Sequence, residues 1–300
     1  MNVAWLDWSN PVAIWWGSLL AVSAVNVAVL LGLCFGCRGA LFTKRTVLFV
    51  EPLLLLAAVY VLGCAFRSVL PRADVQRICL FDTWLSSVMV GRSVATVAEL
   101  AFAAQWAIVL YALGKAAHSD TAKTIAKAIL PLIALAEICS WYAVISTDFL
   151  GNVLENSLWT VTFLLIGVAL SRLVIRFHGA VQFAIAAAAA GVAGYVAFMA
   201  SVDVPMYFGR WQSDVATGKD YLGLIAGLHD LATRWVVTHD IAEWRDEIAW
   251  MTLYFSTAVW TSLMLVGFAL VKHLIPRYRV RVPLTRPTRR PVAVPVRSSR

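Results

Sequence analysis

Long apolar runs separated by short polar stretches dominate the chain. An α-helix needs about 20 mostly apolar residues to cross about 30 Å of hydrocarbon. Seven runs meet this length, at roughly residues 11–37, 47–66, 86–113, 125–147, 155–175, 180–202 and 248–274. Apolar and polar positions do not alternate with period two, as they would in the strands of a membrane β-barrel. The pattern predicts an all-α, polytopic membrane protein with seven transmembrane helices.

Two polar segments are longer than the other connections. In the first, residues 67–86, Pro71 is placed to open a short helix, and Asp74 lies three residues before Arg77, a spacing that favours an ion pair. The second covers residues 203–247. Within it, apolar side chains recur at steps of three and four residues, which predicts an interfacial amphipathic helix before helix seven. These side chains are Tyr221, Leu224, Ile225, Leu228, Leu231, Ala232 and Trp235.

Composition agrees with a membrane protein. Only 14% of residues are charged, 61% are hydrophobic and the mean hydropathy is +0.77, whereas about a quarter of a soluble globular chain is charged. The first apolar run lacks the basic residues that precede the apolar core of a signal peptide, because the first Lys or Arg is Arg38. We therefore expect this run to be the first transmembrane helix.

Charge along the chain predicts the orientation. Most of the 25 basic residues fall in the connections near residues 38–45, 115–127 and 172–176 and beyond residue 272, while most of the 17 acids fall at the opposite helix ends. Basic loops face the cytoplasm, so we expect the N-terminus outside and the C-terminus inside the cell membrane. The two long polar segments would then lie outside.

The chain divides into a seven-helix transmembrane domain, residues 1–276, and a tail, residues 277–300, that is basic and rich in Pro and Arg. The tail has no apolar periodicity, which predicts a disordered cytoplasmic segment that binds anionic lipid of the inner leaflet. Much of the net charge of +8 lies on this side, so the partners we expect are membrane lipids and not nucleic acid.

The stretch HDLATRWVVTHDIAEWRDE, residues 229–247, offers one candidate metal site. His239, Glu243 and Glu247 have the i, i+4, i+8 spacing that can present three ligands to a divalent metal, and His229 could fold back to join them. No HExxH signature is present, and no other cofactor site is evident. The alternatives are that Asp240 and Glu243 only cap a helix, or that the stretch has a binding or acid/base role without metal.

Charged residues inside the apolar runs give the stronger indication of function. A charge near the bilayer centre costs at least about 2.5–3.5 kcal/mol and therefore usually faces the bundle interior at a functional site. Arg92, Thr96 and Glu99 share one face of helix three, and Glu137 lies at a depth comparable to that of Glu99 on helix four. We predict a polar cavity that opens outward, with Glu99 and Glu137 at its floor and Arg92 on its wall.

Further polar and aromatic side chains lie at the outer helix ends, where they could contact a substrate: Asp148, Glu155, Asp203, Tyr207, Trp141 and Trp250. Glu155 could instead cap helix five together with Asn152. Arg92 and Glu99 are two turns apart, about 10 Å along the axis. We therefore expect Arg92 to pair with Asp148, Glu155 or Asp203 and not with Glu99.

These residues favour a membrane enzyme that acts on a lipidic or lipid-linked substrate. Glu99 and Glu137 would supply acid/base chemistry, and Arg92 would hold an anionic group. The same carboxylates could serve a proton-coupled transporter or channel. They could also form a polar network that locks the helices together, as in a noncatalytic subunit of a complex. Whether the protein is an enzyme therefore stays open at this point.

Cysteines and known motifs add little. Cys64 and Cys79 flank the first polar segment and could form a disulfide in an oxidising compartment. Cys34 and Cys37 form a CxxC, which is weak evidence outside a thioredoxin-like context. The chain contains no GxSxG, Walker or dinucleotide-binding motif.

Overall fold

The computed structural model describes residue 7 and residues 9–39 and 44–274 as a bundle of α-helices with a small β-sheet at one end. The helices are α1 (Pro11–Gly39), α2 (Lys44–Val69), α3 (Val88–Ala116), α4 (Asp120–Ser146), α5 (Phe149–Val174), α6 (Gly179–Phe198), α7 (Val204–Ala216), α8 (Leu224–Thr233), α9 (Ile241–Leu253) and α10 (Val259–Leu274). The strands are β1 (Arg72–Ala73), β2 (Ile78–Cys79) and β3 (Val236–Val237). The predicted tail, residues 277–300, lies outside the described residues.

Seven helical stretches of the described chain are long and apolar enough to cross a membrane, which confirms the predicted number. They are Pro11–Gly36, Val50–Val69, Val88–Ala116, Asp120–Ser146, Phe149–Val174, Gly179–Ala216 and Ile241–Ala269. The last two each contain a π-helical segment, Met199–Asp203 and Tyr254–Ala258. The sixth stretch runs well past its predicted end at residue 202, because the helical backbone continues through the π-helical segment into α7.

The transmembrane helices pack against their neighbours in chain order from α1 to α6, and α10 packs against α2, α3 and α1. Side chains cap several helix starts. Ser87 accepts a hydrogen bond from the amide of Val90 at α3, and Asp240 accepts one from the amide of Ala242 at α9. Such caps satisfy backbone donors that have no partner within the first helical turn.

The two long polar segments meet at one end of the bundle, which we call the sheet end. There β1 pairs antiparallel with β2, and β2 pairs parallel with β3. The expected short helix after Pro71 is wrong, since the chain forms a hairpin there. Its turn is closed by Arg77, whose φ of 62° lies in the left-handed region. The Arg77 side chain donates to the Val144 carbonyl oxygen at 2.6 Å, which ties the hairpin to α4.

The predicted amphipathic helix is present as α8. It packs against the sheet ends of α3 and α4, with the Leu231 side chain fully buried. Gly227 lies so close to α4 that an added Cβ would collide with the Ile145 carbonyl oxygen. The helix therefore covers part of the sheet end.

The disulfide that Cys64 and Cys79 could have formed is absent, because both cysteines are free. Cys64 is buried in α2, and the Cys79 thiol donates to the Phe81 carbonyl oxygen at 3.4 Å within the hairpin. Of the CxxC pair, the side chain of Cys37 lies outside the described residues.

Candidate functional site

Three carboxylates from three helices converge on one guanidinium. The Nη2 atom of Arg92 on α3 lies 3.0 Å from Glu99 Oε2, 2.7 Å from Glu137 Oε2 and 3.3 Å from Glu155 Oε1. The convergence of α3, α4 and α5 at this point brings together the residues expected to carry the chemistry. We call Arg92 and these three glutamates the Arg92 cluster.

The contact between Arg92 and Glu99 contradicts the expectation that they would not pair. That expectation considered only the axial distance between their backbones. Helical side chains lean toward the N-terminus of the helix, so Glu99 reaches back toward Arg92, and the long arginine side chain closes the remaining gap. The expected pairing of Arg92 with Glu155 is present, whereas no ion pair joins Arg92 to Asp148 or Asp203 among the described side chains.

Neighbouring side chains hold the carboxylates in place. Thr96 Oγ1 donates to Glu137 Oε2 at 2.6 Å and accepts a hydrogen bond from Trp141 Nε1 at 3.1 Å. Tyr254 OH donates to Glu99 Oε1 at 2.9 Å. Trp141, one of the predicted substrate contacts, therefore contacts the site through Thr96.

The interpretation of Glu155 as a helix cap is wrong. Asp148 caps α5 by accepting from the amide of Leu150 at 2.9 Å, and it also accepts from Tyr142 OH at 2.9 Å. Glu155 lies further along the helix, where Asn152 Nδ2 donates to its Oε2 at 3.2 Å. Asp148, predicted as a substrate contact, thus has a structural role at the start of α5.

The Arg92 cluster is enclosed, and the predicted polar cavity that opens outward is not seen among the described residues. Arg92 and Glu99 are each 5% exposed, Glu137 is 3% exposed and Glu155 is 6% exposed. A groove of about 430 Å³ lies between α2 and α3, but its lining is largely apolar. It is formed by Val59, Leu62, Gly63, Phe66, Ser93, Val94 and Val97.

Glu99, Glu137 and Glu155 also form the one group of His, Cys, Asp or Glu in the described chain whose geometry could suit a metal ion. One ligand atom of each lies within 4.8 Å of the others. However, a single nitrogen, Arg92 Nη2, already contacts an oxygen of all three. The guanidinium thus occupies the position that a cation would take between the carboxylates.

The structure does not gather the four predicted metal ligands. Helix α9 begins at Ile241, so His239 precedes it and the helical i, i+4, i+8 spacing does not apply. His239 Nε2 lies 2.9 Å from the Leu80 carbonyl oxygen. Glu243 and His229 are exposed, and the His229 ring lies near Thr233 Oγ1. The alternative reading of this stretch as a helix start is supported, because Asp240 caps α9.

Glu247 belongs to a second polar group, between α7 and α9. Its Oε1 accepts from Gln76 Nε2 at 2.8 Å and from Arg210 Nη1 at 3.1 Å, and its Oε2 accepts from Trp250 Nε1 at 2.5 Å. The rings of Trp250 and Tyr254 lie 6.2 Å apart. Trp250, a predicted substrate contact, therefore lies between this group and the Arg92 cluster.

The other two predicted substrate contacts lie on the sixth transmembrane stretch. Asp203 Oδ2 accepts from Asn156 Nδ2 at 2.6 Å. The Tyr207 ring packs against the Arg210 guanidinium, with Cζ at 5.4 Å from the ring centroid. Both residues therefore line the border between α5 and α7 and make no direct contact with the Arg92 cluster.

Two buried arginines near the site were not among the predicted residues. Arg67, in the last turn of α2, and Arg72, in β1, are 5% and 2% exposed. Arg72 donates through Nε to Asp74 Oδ1 at 2.7 Å and through Nη1 to the Ser87 carbonyl oxygen at 2.7 Å. The predicted pair of Asp74 with Arg77 is replaced by this contact, while Arg77 pairs with Asp230 at 2.8 Å.

Asp74 shows how strongly these arginines act on a neighbouring carboxyl group. Burial alone would raise the pKa of its carboxyl, but the guanidinium groups of Arg72, Arg67, Arg92 and Arg77 hold that pKa below its usual value. Residues 67–86 were predicted only as a polar segment outside the membrane, so this buried group was not expected. The signal that could have revealed it is the density of arginines around a single aspartate.

Comparison of the chain with protein-family models, with curated proteins and with solved structures finds no match. The function is therefore inferred from the geometry and chemistry of the site.

Proposed function

We propose that the protein is an integral membrane enzyme that acts on a lipidic or lipid-linked substrate by acid/base chemistry at the Arg92 cluster. The observation that carries this proposal is the convergence of Glu99, Glu137 and Glu155 on the Arg92 guanidinium inside a bundle of membrane-spanning helices. Burying three carboxylates around one cation in a low-dielectric interior lowers the stability of the folded protein. Such a cost is expected where the carboxylates serve a function.

The charges of the cluster suit proton transfer. Three carboxylates face one guanidinium, so full ionisation would leave two negative charges uncompensated by direct partners. Buried charges of this kind are strongly disfavoured, and protons held among the carboxylates relieve the imbalance. A site that holds protons in this way can give them to a substrate or accept them from it.

Glu99 and Glu137 differ in how their oxygens are used. Both oxygens of Glu99 have partners, Tyr254 OH on Oε1 and Arg92 on Oε2. Glu137 Oε2 binds Arg92 and Thr96, whereas its buried Oε1 has no hydrogen-bond partner in the described part of the chain. We assign Glu137 as the general base through this oxygen, and Glu99, once it has taken up a proton, as the general acid beside it.

A lipidic substrate suits the position of the site. The Arg92 cluster lies among transmembrane helices, and its enclosure requires a local opening before a substrate can reach it. Two π-helical segments adjoin the polar groups: Tyr254 begins one and Asp203 ends the other. Such segments recur at functional sites. We propose that an outward opening forms here, with Trp141, Tyr207 and Trp250 at its wall.

Proton-coupled transport would require a polar path that continues toward the end of the bundle opposite the sheet. Deeper on α3, Gln105 instead bonds the Leu53 carbonyl oxygen at 3.1 Å and accepts from Ser262 Oγ at 2.6 Å. These bonds join α3 to α2 and α10, and they use both the nitrogen and the oxygen of the Gln105 side-chain amide. This arrangement favours an enzyme over a transporter.

The test measures the lipid composition of cells that lack the gene and are complemented with variants of the protein. Glu99→Gln and Glu137→Gln remove the titratable group at nearly constant volume. Glu51→Gln, at an exposed position on α2, makes the same chemical change away from the cluster. Loss of a general acid or base typically lowers a rate by about 10²–10⁴-fold.

We expect the wild type and Glu51→Gln to restore the lipid that accumulates or disappears in the deletion strain. Glu99→Gln and Glu137→Gln should fail to restore it, although both reach wild-type levels in the membrane. Restoration by both variants would disprove acid/base catalysis by these residues. Loss of both variants from the membrane would indicate instead that the cluster only locks the helices together.

A further inference from the structure

Arg67 is a buried cation that no described carboxylate contacts directly. It lies in the last turn of α2 and is 5% exposed. Its guanidinium carbon lies over the rings of Trp250, Tyr254 and Phe255, at 5.9, 6.0 and 5.9 Å from their centroids. Across the part of the chain that the structure describes, its side chain forms no hydrogen bond, and no carboxylate oxygen lies within 4.0 Å of it.

This environment is unusual because a guanidinium carries five N–H donors. The described residues offer none of them an acceptor, and the aromatic faces stabilise the positive charge without accepting these hydrogen bonds. The other buried arginines at the sheet end have acceptors. Arg72 binds Asp74 and the Ser87 carbonyl oxygen, and Arg77 binds Asp230 and the Val144 carbonyl oxygen. Arg67 differs from both because none of its donors has an acceptor among the described residues.

Charges of both signs lie near Arg67, because Asp74 and Glu99 attract it and Arg92 repels it. Burial lowers the pKa of Arg72 to about 10 against the opposing effect of Asp74, and the charges of Arg67 and Arg92 lower it further. The Nη2 atom of Arg72 is buried without a hydrogen-bond partner in the described residues, as is the Nε atom of Arg92. Three neighbouring arginines therefore have unused donors.

We propose that Arg67 binds the phosphate group of the substrate, most readily the phosphate of a lipid headgroup. The proposal rests on the proposed function and deepens it by naming the substrate class. The planar guanidinium fork matches two oxygens of a phosphate, and an anion would occupy the donors that lack acceptors.

The position of Arg67 suits a lipid headgroup. Its transmembrane stretch ends at Val69, so Arg67 lies at the end of the membrane-spanning segment, where lipid phosphates lie. Tyr254 connects this position to the chemistry, because its ring faces Arg67 and its hydroxyl donates to Glu99 at 2.9 Å. A phosphate on Arg67 would therefore hold the adjacent part of the lipid beside the Arg92 cluster.

The test measures ligand-dependent thermal unfolding of the purified protein in detergent. The probes are a short-chain phosphatidic acid, the diacylglycerol with the same chains and no phosphate, and inorganic phosphate. The variants are Arg67→Gln, Arg67→Lys and Arg245→Gln. Arg245 is exposed on α9, so its variant removes one positive charge without touching the buried site.

We expect phosphatidic acid, and not diacylglycerol, to raise the unfolding temperature of the wild type and of Arg245→Gln. Affinity should fall by at least about tenfold in Arg67→Gln, as expected for the loss of a charged hydrogen bond. Arg67→Lys keeps the charge but lacks the two-pronged geometry, so it should bind more weakly than the wild type. It provides the comparison if Arg67→Gln does not fold.

The source of the phosphate is distinguished in the same experiment. If phosphatidic acid stabilises the protein at concentrations where inorganic phosphate has no effect, the ligand is the lipid. If inorganic phosphate stabilises the protein and Arg67→Lys weakens that effect, the ligand is free phosphate bound at this site. Equal effects of phosphatidic acid and diacylglycerol, or wild-type affinity in the Arg67 variants, would overturn the proposal.

The Glu99→Gln variant distinguishes phosphate binding at Arg67 from acid/base catalysis at the Arg92 cluster. The variant should bind phosphatidic acid like the wild type, because Glu99 does not contact the guanidinium of Arg67. If it binds the lipid and also restores the lipid profile of the deletion strain, the phosphate site stands and the acid/base proposal fails.

Discussion

At the scale of single residues, Arg92 neutralises the largest concentration of buried negative charge that the structure describes. Its Nη2 contacts Glu99, Glu137 and Glu155. Arg92→Met would leave all three carboxylates without their cation. Removing one partner of a buried ion pair typically costs about 3–5 kcal/mol, so we expect a decrease of that order in the free energy of unfolding. Thermal unfolding in detergent measures it.

A double variant tests whether this loss comes from charge. Arg92→Met combined with Glu137→Gln removes one of the carboxylates left unpaired, so it should be less destabilised than the sum of the two single changes. Arg245→Met, at the surface, should change the unfolding temperature little. Additive losses in the double variant would show that Arg92 acts through packing of its alkyl chain and not through its charge.

The sequence identifies residues of the Arg92 cluster because a charge inside an apolar run is costly and therefore conspicuous. Glu99 and Glu137 stand out for this reason. Arg67 does not, because it lies at the end of its run, where an arginine commonly reaches the water interface. Only the packing of Trp250, Tyr254 and Phe255 around it reveals that it is buried.

At the scale of elements, an ion pair ties α8 to the β1–β2 hairpin. Arg77 Nε lies 2.8 Å from Asp230 Oδ2, and Arg77 is 1% exposed. Asp230→Asn would leave the buried guanidinium without its carboxylate. We expect α8 and β3 to detach from the sheet end while the transmembrane bundle stays folded, with a loss of about 1–3 kcal/mol. Chymotrypsin should then cut faster after Tyr221 or Trp235.

Arg234→Gln is the matched control for this prediction. Asp230 also pairs with Arg234 at 2.6 Å, but the Arg234 side chain is 57% exposed. Exposed pairs contribute about 0–1 kcal/mol, so proteolysis should stay close to that of the wild type. Equal protection of Asp230→Asn and the wild type would show that apolar contacts such as those of Leu231 hold α8 without the ion pair.

Elements with a strong apolar period were predictable, and short elements were not. The transmembrane helices and α8 follow from apolar spacing. The β1–β2 hairpin has strands of only two residues, too short for any period, and the ion pair that ties it to α8, Arg77–Asp230, joins residues distant in sequence. The extension of the sixth helix through Asp203 was also missed, because polar residues of a helix that leaves the membrane resemble those of a loop.

At the scale of the whole molecule, the Arg92 cluster, Arg67 and the polar group around Glu247 lie in the part of the bundle nearer the sheet end. The hairpin, α8 and the start of α9 pack together over this end, and Gln76 of the hairpin donates to Glu247 of α9 at 2.8 Å. The bundle thus has one polar end and one end with short connections. This asymmetry matches the distribution of acids and bases along the sequence, which predicts that the sheet end faces outward.

Cysteine labelling on intact cells tests this orientation. In a variant without native cysteines, Thr217→Cys places a thiol at the exposed sheet end, and Asp120→Cys places one at the opposite end, where the Asp120 side chain is 94% exposed. We expect a membrane-impermeant maleimide to label Thr217→Cys on intact cells, and to label Asp120→Cys only after permeabilisation. The reverse pattern would place the Arg92 cluster and Arg67 toward the cytoplasm, so that a lipid substrate would have to enter from the inner leaflet.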